Sequence, residues 1–170
     1  EEKPVAAQLF GNEIEMFRKS AAIIKGLGFD MIDINCGCPA RKVVKGNNGV
    51  MLMNFPLKVA QLIEAVKKET GLPVSIKIRL GLKTKDKLIF KFINEVSAAG
   101  PDMITVHLRY AEDFHKGEPD IETGKRLREI IRTKYVVNGG IDSPEKAFNI
   151  KAETGCDGLM LGRPAFHDLL

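Results

Sequence analysis

A short apolar strand near position 33 runs into a polar loop that carries thiols and basic side chains. The loop reads Asn35-Cys36-Gly37-Cys38-Pro39, and Arg41 and Lys42 follow it closely. Glycine and proline on either side of Cys38 favour an unusual backbone conformation there. A thiol held in this way at the carboxyl end of a strand is well placed for chemistry. The plainer alternative is that Cys38 is a structural thiol of the loop.

The spacing of Cys36 and Cys38 also raises the question of a metal. A Cys-x-Cys pair with no nearby histidine supplies half of a zinc site, so no metal is predicted. Alternation along the strand places Cys36 on a different side from Asn35, which favours a packing role for Cys36. Whether Cys36 resolves an oxidised Cys38 stays open. The chain has 3 cysteines in 170 residues, too few for a disulfide framework, and a reducing cytoplasm is the expected location.

Two further segments have the composition of phosphate-binding loops. Asn138-Gly139-Gly140-Ile141 and Leu161-Gly162-Arg163-Pro164 each follow a strand-like run. Barrel enzymes often bind phosphate with the loops after their last two strands, where backbone N–H groups converge. Glycine lets the backbone approach a ligand, and Arg163 adds a charge and a fork of donors. The two loops together predict a phosphorylated cofactor.

These residues must be positioned by the surrounding elements, and strand-like and helix-like runs alternate along the chain. The predicted strands are Val5–Phe10, Met31–Asn35, Val74–Arg79, Met103–Leu108, Tyr135–Asn138 and Gly158–Leu161. The predicted helices are Glu13–Lys25, Leu57–Thr70, Asp86–Ala99, Glu122–Thr133 and Pro144–Thr154. Glycines at 26, 71, 100 and 155 stand where helices should stop. The alternation predicts an α/β fold with a parallel sheet.

Polar residues collect at one end of all these strands. They are Gln8, Asn35, Cys38, Lys77, Arg79, His107, Arg109, Asn138, Gly162 and Arg163. A buried parallel strand should read as a continuous apolar run, so a polar group near its end needs a partner. In a (β/α)₈ barrel the active site lies at this face and is built by successive loops. We therefore expect these side chains to share one site.

The order of these motifs resembles the tRNA-dihydrouridine synthases, flavin enzymes that reduce a uracil base within tRNA. The resemblance covers almost the whole chain. The matching segments are Ala7–Gly11, Asp33–Pro39, Val74–Gly81, Ile104–His107, Val137–Ile141 and Gly158–Arg163. The cysteine loop is the most specific of them. The others become specific through their order and spacing.

The resemblance implies FMN as cofactor, NADPH as reductant and a uridine of tRNA as substrate. On this basis Gln8, Lys77 and His107 contact the flavin ring and ribityl region. The FMN phosphate is held by Asn138, Gly139, Gly140, Gly162 and Arg163. Asn35 orients the uracil, and Cys38 is the proton donor to carbon 5. Arg41 and Lys42 hold flanking phosphates.

Length sets a further expectation. Only six strands are recognisable, and about 200 residues is the lower end for a complete eight-stranded barrel. The resemblance implies that the first two βα units and the family's C-terminal helical domain are absent. The chain is thus expected to be one incomplete FMN-binding barrel domain over residues 1–170, an internal fragment whose activity on its own stays open. The oligomeric state is not predicted.

Composition excludes some classes and leaves others open. No apolar run approaches the roughly 18–20 residues that cross a bilayer. The net charge of +4 permits contact with phosphates without demanding it. Two alternatives to a tRNA uridine reductase remain. One is another FMN barrel oxidoreductase acting on a free pyrimidine or a dihydroorotate-like molecule; the other is a non-catalytic barrel remnant.

Overall fold

The computed structural model describes residues 3–84 and 88–166, and their backbone alternates between strands and helices. The strands are β1 Ala6–Leu9, β2 Met31–Cys36, β3 Val74–Arg79, β4 Met103–His107, β5 Lys134–Asn138 and β6 Gly158–Met160. The helices are α1 Ile14–Gly26, α2 Arg41–Lys45, α3 Pro56–Thr70, α4 Leu88–Ser97, α5 Ile121–Ile130 and α6 Pro144–Thr154. Two short 3₁₀ segments, Gly49–Asn54 and Arg163–Phe166, complete the described elements.

The six strands form one parallel sheet in which each strand pairs with the next along the chain, in the order β1 to β6. The predicted α/β fold and all six predicted strands are confirmed. Within the described residues the sheet is not closed, and β1 and β6 are its two edges. This sequential order is that of successive βα units along the wall of a barrel.

One face of the sheet is apolar and carries the core. Ile34, Ile76 and Val106 lie on this face, and none of the three is exposed to solvent. They pack beneath helices α1 and α3–α6, each of which also buries apolar side chains toward the sheet. Burying a side chain of this size contributes about 1.5–3 kcal/mol, so this face supplies most of the stabilisation.

The other face is polar because side chains alternate along each strand. Pairing places Asn35 beside Lys77 and His107 beside Asn138. The alternation predicted for β2 is confirmed: Asn35 faces this polar side, and Cys36 lies fully buried on the apolar one. The register therefore brings the predicted site residues to one face and one end of the sheet.

Some helix boundaries differ from the prediction. Helix α1 includes Gly26 and is capped by Leu27, and the left-handed backbone falls at Gly28 instead. Helices α3 and α6 end at Gly71 and Gly155 as predicted. The helix predicted from Asp86 begins at Leu88 among the described residues, since Asp86 and Lys87 lie outside them.

Helix α2 and the 3₁₀ segment Gly49–Asn54 were not predicted. Both are too short to show the periodicity of an amphipathic helix, and tertiary contacts fix them instead. Of the helices in the part of the chain that the structure describes, none is both long and apolar enough to cross a membrane.

Candidate active site

A cavity of about 720 Å³ opens at the carboxyl ends of the strands. Its lining comes from every strand of the sheet or from the loop that follows it. The lining residues are Gln8, Asn35, Gly37, Cys38, Pro39, Lys77, Arg79, His107, Arg109, His115, Asn138, Gly139, Gly140, Ile141, Asp142, Met160, Gly162 and Arg163. A shared site at this edge was the main expectation from the strand ends, and the geometry agrees with it.

Most of the predicted site residues meet in this cavity. Those that line it are Gln8, Asn35, Cys38, Lys77, His107, Asn138, Gly139, Gly140, Gly162 and Arg163. Arg41 and Lys42 do not line it; they lie in helix α2 with exposed side chains. Their predicted contact is with substrate outside the cavity, and it stays a prediction.

Hydrogen bonds to the backbone hold the Cys38 loop in place. The side-chain oxygen of Asn35 accepts from the backbone N–H of Cys38 at 2.9 Å and of Gly37 at 3.2 Å. Arg79 Nε donates to the carbonyl oxygen of Gly37 at 3.0 Å. The Cys38 side chain is half-buried and faces the cavity. The loop thus presents one thiol in a fixed place.

The far side of the loop is closed by a contact between Cys38 and residues 49 and 50. The N–H of Val50 donates to the carbonyl oxygen of Cys38 at 3.1 Å. Gly49 has φ +59°, and a Cβ there would lie 2.5 Å from that same oxygen. Only glycine fits this close approach without strain. Residues 39–48 therefore form a loop whose two ends are tied together.

The other cysteines are structural by position. Cys36 is fully buried, and burial raises the pKa of its thiol well above the ordinary value. Cys156 is also buried. No cluster of three or more possible metal ligands occurs among residues 3–84 and 88–166. The packing role predicted for Cys36 agrees with its burial.

Lys77 extends into the cavity from β3 and bonds across the sheet. Its ammonium donates to Oδ1 of Asn138 at 3.0 Å, and Nδ2 of Asn138 donates to the carbonyl oxygen of Met160 at 2.7 Å. Burial, and then the nearby charge of Arg79, lower the pKa of Lys77 to about 8. A desolvated cation of this kind is ready to interact with an anionic or electron-rich ligand.

His107 is held as a neutral imidazole. Burial, and then the positive charges of Arg79, Lys77 and Arg109, lower its pKa to about 3. The guanidinium of Arg109 lies 3.2 Å from Nε2 of His107. Because a guanidinium only donates, Nε2 is the acceptor and the ring proton is on Nδ1. His107 therefore offers one N–H donor and carries no charge near neutral pH.

Sequence reasoning did not single out His115, which lines the cavity, or Thr105, which does not. The His115 ring stacks on His107 with 6.0 Å between ring centroids, although nothing in the local sequence marked His115. The long loop after β4 folds back to bring it there, and such a return is a tertiary event. Thr105, on the polar face of β4, is fully buried, and its hydroxyl has no hydrogen-bond partner among the described residues.

The glycine loop after β5 makes room for the histidine. A Cβ at Gly139 would lie 2.6 Å from Cδ2 of His107, and one at Gly140 would lie 2.8 Å from Cγ of Pro119. Gly162, in the other predicted phosphate loop, has open space where a Cβ would be. The first loop is thus packed tightly against its neighbours, and the second is open to a ligand.

Positive charge dominates the cavity wall. Lys77, Arg79, Arg109 and Arg163 line it, whereas Asp142 is the one carboxylate among the lining residues that the structure describes. Arg79 is largely buried; burial, and then Arg109, lower its pKa. Such a wall favours an anionic ligand such as a phosphate ester.

Solved structures share this architecture with low sequence identity. The chain resembles 3-hexulose-6-phosphate synthase from Salmonella typhimurium with a TM-score of 0.63 and 19% identity, over 98% of this chain and 66% of that one. It resembles 6-hydroxypseudooxynicotine amine oxidase from Pseudomonas geniculata with a TM-score of 0.65 and 16% identity, over 91% and 26%. The sheet and its cavity define an α/β fold built from βα units, with the candidate site at the carboxyl ends of the strands.

Sequence comparison narrows this class to one family. The model of the dihydrouridine synthase (Dus) family matches residues 1–168, and the chain belongs to that family. It is 38% identical to the tRNA-dihydrouridine(20/20a) synthase of Xanthomonas axonopodis pv. citri, over 98% of this chain and 53% of the relative. It is 34% identical to the tRNA-dihydrouridine synthase B of Vibrio parahaemolyticus, over 94% and 50%. The chain therefore spans about half the length of the curated relatives it matches.

Proposed function

We propose that the protein containing this chain reduces specific uridines of tRNA to 5,6-dihydrouridine, with FMN as cofactor and NADPH as reductant. One observation carries the proposal: in a member of this family, Cys38 and the two predicted phosphate loops line the same cavity. Residues 1–170 would form one FMN-binding domain. Three free cysteines and a tRNA substrate favour the cytoplasm as the place of the reaction.

The residues present fit FMN. The cavity of about 720 Å³ has the size of a cofactor site. Gly139 and Gly140 bring backbone to the cavity wall beside His107, and the cavity also contains Gly162 and the cation of Arg163. We assign the phosphate to this end, together with Asn138. When bound, the reduced cofactor supplies the hydride that adds to carbon 6 of the uracil.

Three side chains would contact the rest of the cofactor. Gln8 lines the cavity with an amide, His107 with a neutral imidazole and Lys77 with a cation. A positive charge beside the pyrimidine edge of a flavin stabilises its anionic reduced form. Because the pKa of Lys77 is lowered to about 8, the ammonium remains mostly charged at neutral pH while being largely desolvated.

Cys38 would complete the reduction as the general acid. Addition of hydride at carbon 6 leaves enolate-like charge on the uracil, which a proton at carbon 5 must quench. The Cys38 thiol breaks its S–H bond to give that proton, and the resulting thiolate recovers one from solvent. The hydrogen bonds from Cys38 and Gly37 to Asn35 hold the thiol still while this happens.

Asn35 would orient the uracil with its remaining donor. Its oxygen accepts from the loop, and one N–H of its amide donates to Oε1 of Gln8 at 2.8 Å. Among the described residues the second N–H has no partner, and a uracil carbonyl oxygen suits it. The base must be turned out of the tRNA fold to reach this position, which costs a few kcal/mol.

Binding of the flanking RNA would fall to helix α2. Arg41 and Lys42 are exposed at the start of helix α2, shortly after Cys38 in the chain, so they can contact phosphates next to the target nucleotide. Contacts of this kind raise affinity without reading sequence, and salt weakens them. This gives the predicted roles of Arg41 and Lys42 a physical basis outside the cavity.

The test is a single-turnover experiment on the full-length protein. FMN-loaded enzyme is reduced with NADPH and mixed with unmodified tRNA, and both flavin reoxidation and dihydrouridine in digested RNA are followed. Cys38→Ala should slow reoxidation by about 10²–10⁴-fold, the usual contribution of a general acid. Cys156→Ala, which removes a buried thiol outside the site, is the matched control and should react like the wild type.

The alternatives give different results in the same experiment. Reoxidation by a free pyrimidine but not by tRNA would show an enzyme of small pyrimidines. Absence of FMN from the purified full-length protein would show a non-catalytic barrel. An unchanged rate in Cys38→Ala would refute the role of Cys38 as general acid, while the proposed reduction of tRNA would still stand.

A further inference from the structure

Asp33 is a carboxylate in the middle of the core strand β2, with 8% of its surface exposed. It shares the polar face of the sheet with Asn35, two residues along, but it does not line the cavity. The roles proposed above do not use it. A buried carboxylate needs hydrogen bonds to offset the loss of hydration, and its partners show what it does.

A continuous chain of hydrogen bonds leads from Asp33 to the Cys38 loop. Asp33 Oδ2 accepts from Gln8 Nε2 at 2.7 Å, and Gln8 Oε1 accepts from Asn35 Nδ2 at 2.8 Å. Asn35 Oδ1 then accepts from the backbone N–H of Cys38 at 2.9 Å. On its other side, Asp33 Oδ1 accepts from the hydroxyl of Ser75 at 2.5 Å.

The two ends of this chain fix its direction. A backbone N–H only donates, so the oxygen of the Asn35 amide must face the Cys38 loop and its nitrogen must face Gln8. The oxygen of Gln8 then faces Asn35, and its nitrogen needs an acceptor. Asp33 is that acceptor. Both side-chain amides are thereby held in one of their two possible orientations.

The ionisation of Asp33 does not alter this direction. Burial raises the pKa of Asp33, and the hydrogen bonds from Ser75 and Gln8 oppose the rise, as does the charge of Lys77. A protonated carboxyl could donate from Oδ1 to the Ser75 hydroxyl while Oδ2 still accepts from Gln8. The orientation of the amides therefore depends on the acceptor oxygen rather than on the charge.

We propose that Asp33 is a positioning residue, which sets the orientation of the Gln8 and Asn35 amides and so holds the Cys38 loop in its reactive place. The catalytic meaning of this role rests on the proposed function, but the structural effect does not. Loss of the acceptor would release Gln8, then Asn35, and then the amides of Gly37 and Cys38. Asp33, which does not line the cavity itself, would thus act on Cys38 through Gln8 and Asn35.

The experiment measures amide hydrogen exchange in the full-length, FMN-loaded protein, on peptides that contain Gly37 and Cys38. Asp33→Leu removes both acceptor oxygens while keeping the branched shape of the side chain, and it should speed exchange of these two amides about tenfold, the equivalent of one lost hydrogen bond. Ser75→Ala is the matched control, since it removes the other partner of Asp33 and leaves the chain intact. It should stay within about twofold of the wild type.

Two results would overturn the proposal. One is a folded Asp33→Leu protein with unchanged exchange at Gly37 and Cys38. The other is equal acceleration in Ser75→Ala, because that would show a general loosening of the sheet. If Asp33→Leu does not fold, Gln8→Leu takes its place: Gln8 lies on the edge strand β1 with an exposed side chain, and its removal breaks the next link.

A kinetic readout separates this proposal from the proposed function. Asp33→Leu should lower kcat for tRNA about tenfold and leave KM within about twofold, because the acid is displaced while RNA binding is kept. If amide exchange is faster in Asp33→Leu but the wild type does not reduce tRNA, the proposed function is refuted and the role of Asp33 stands. If amide exchange is unchanged and the wild type is active, the role of Asp33 is refuted and the proposed function stands.

Discussion

Lys77 donates to Asn138 at 3.0 Å although a whole strand, β4, lies between their strands. Two side chains on β3 and β5 can meet in this way only because the sheet curves around its polar face. Asn138 continues the link to the carbonyl oxygen of Met160 on β6. Side-chain hydrogen bonds as well as the strand ladder thus join β3, β5 and β6 at the floor of the cavity, and the Lys77 ammonium takes part in them.

Replacing Gly139 with alanine should destabilise the protein. Gly139 has φ +105°, and the added Cβ would lie 2.6 Å from the ring of His107. We expect the free energy of unfolding to fall by about 1–3 kcal/mol, measured by urea denaturation. Gly26→Ala is the control, because a Cβ there meets nothing within 4 Å. Equal stability of Gly139→Ala and the wild type would show that the ring of His107 moves aside freely.

Removing the buried hydroxyl of Thr105 should stabilise the protein. Its oxygen has no partner among the described residues, and an unsatisfied buried hydroxyl costs about 1–3 kcal/mol. Thr105→Val keeps the shape, so its free energy of unfolding should rise by about 1 kcal/mol or more. Thr154→Val is the contrasting variant, since the Thr154 hydroxyl donates to the carbonyl oxygen of Ile150 at 2.6 Å. Its loss should lower the free energy of unfolding. A loss of stability in Thr105→Val would reveal a partner for the hydroxyl in solution.

The neutral state of His107 makes stability depend on pH. Its pKa in the folded protein is about 3, below the ordinary 6.5, so the unfolded chain binds more protons between these values. The contribution of His107 is fully present above pH 6.5 and is lost as the pH falls toward 3. From about pH 7 to about pH 4, the wild type should therefore lose more stability than His107→Gln.

This difference is measured by urea denaturation at several pH values, with NMR of the imidazole as a direct check. The His107 ring should keep the chemical shifts of the neutral form down to about pH 4. A titration midpoint near the ordinary value for histidine would contradict the prediction. His115→Gln is the comparison variant: His115 is the stacked partner of His107, and burial lowers its pKa as well.

Charge on helix α2 should govern how salt affects tRNA binding. The double change Arg41→Ala with Lys42→Ala should weaken binding and reduce the slope of log K against log salt by about 1–2. The control removes Lys25 and Lys68, two exposed cations in the last turns of α1 and α3, at the opposite end of the βα units. If the control changes the slope as much as the test variant, helix α2 has no special part in RNA binding.

The strand-end residues could be predicted from the sequence because of a simple rule. In parallel βα units the carboxyl ends of strands meet at one edge, so Asn35, Lys77, His107 and Asn138 had to converge. Alternation along each strand then decides which of them share a face. These two rules need only local sequence.

Other parts of the site depend on contacts that local sequence does not encode. The stack of His115 on His107 requires the loop after β4 to fold back over its own strand. The acceptor that Gln8 finds in Asp33 lies 25 positions away and is set by the pairing of β1 with β2. Helix α2 has five residues, which is too few for a periodic pattern. Tertiary packing decided each of these.

The tied ends of the loop after β2 have a consequence for how this site can diversify. The N–H of Val50 donates to the carbonyl oxygen of Cys38, and Gly49 allows that close approach. This contact joins the two ends of the loop formed by residues 39–48. Changes of length, charge or shape within this loop need not alter the position of the Cys38 thiol, which precedes it. The position of the thiol is thus independent of the exposed cations in the loop. A loop of different sequence could therefore replace residues 39–48 between the same two ends.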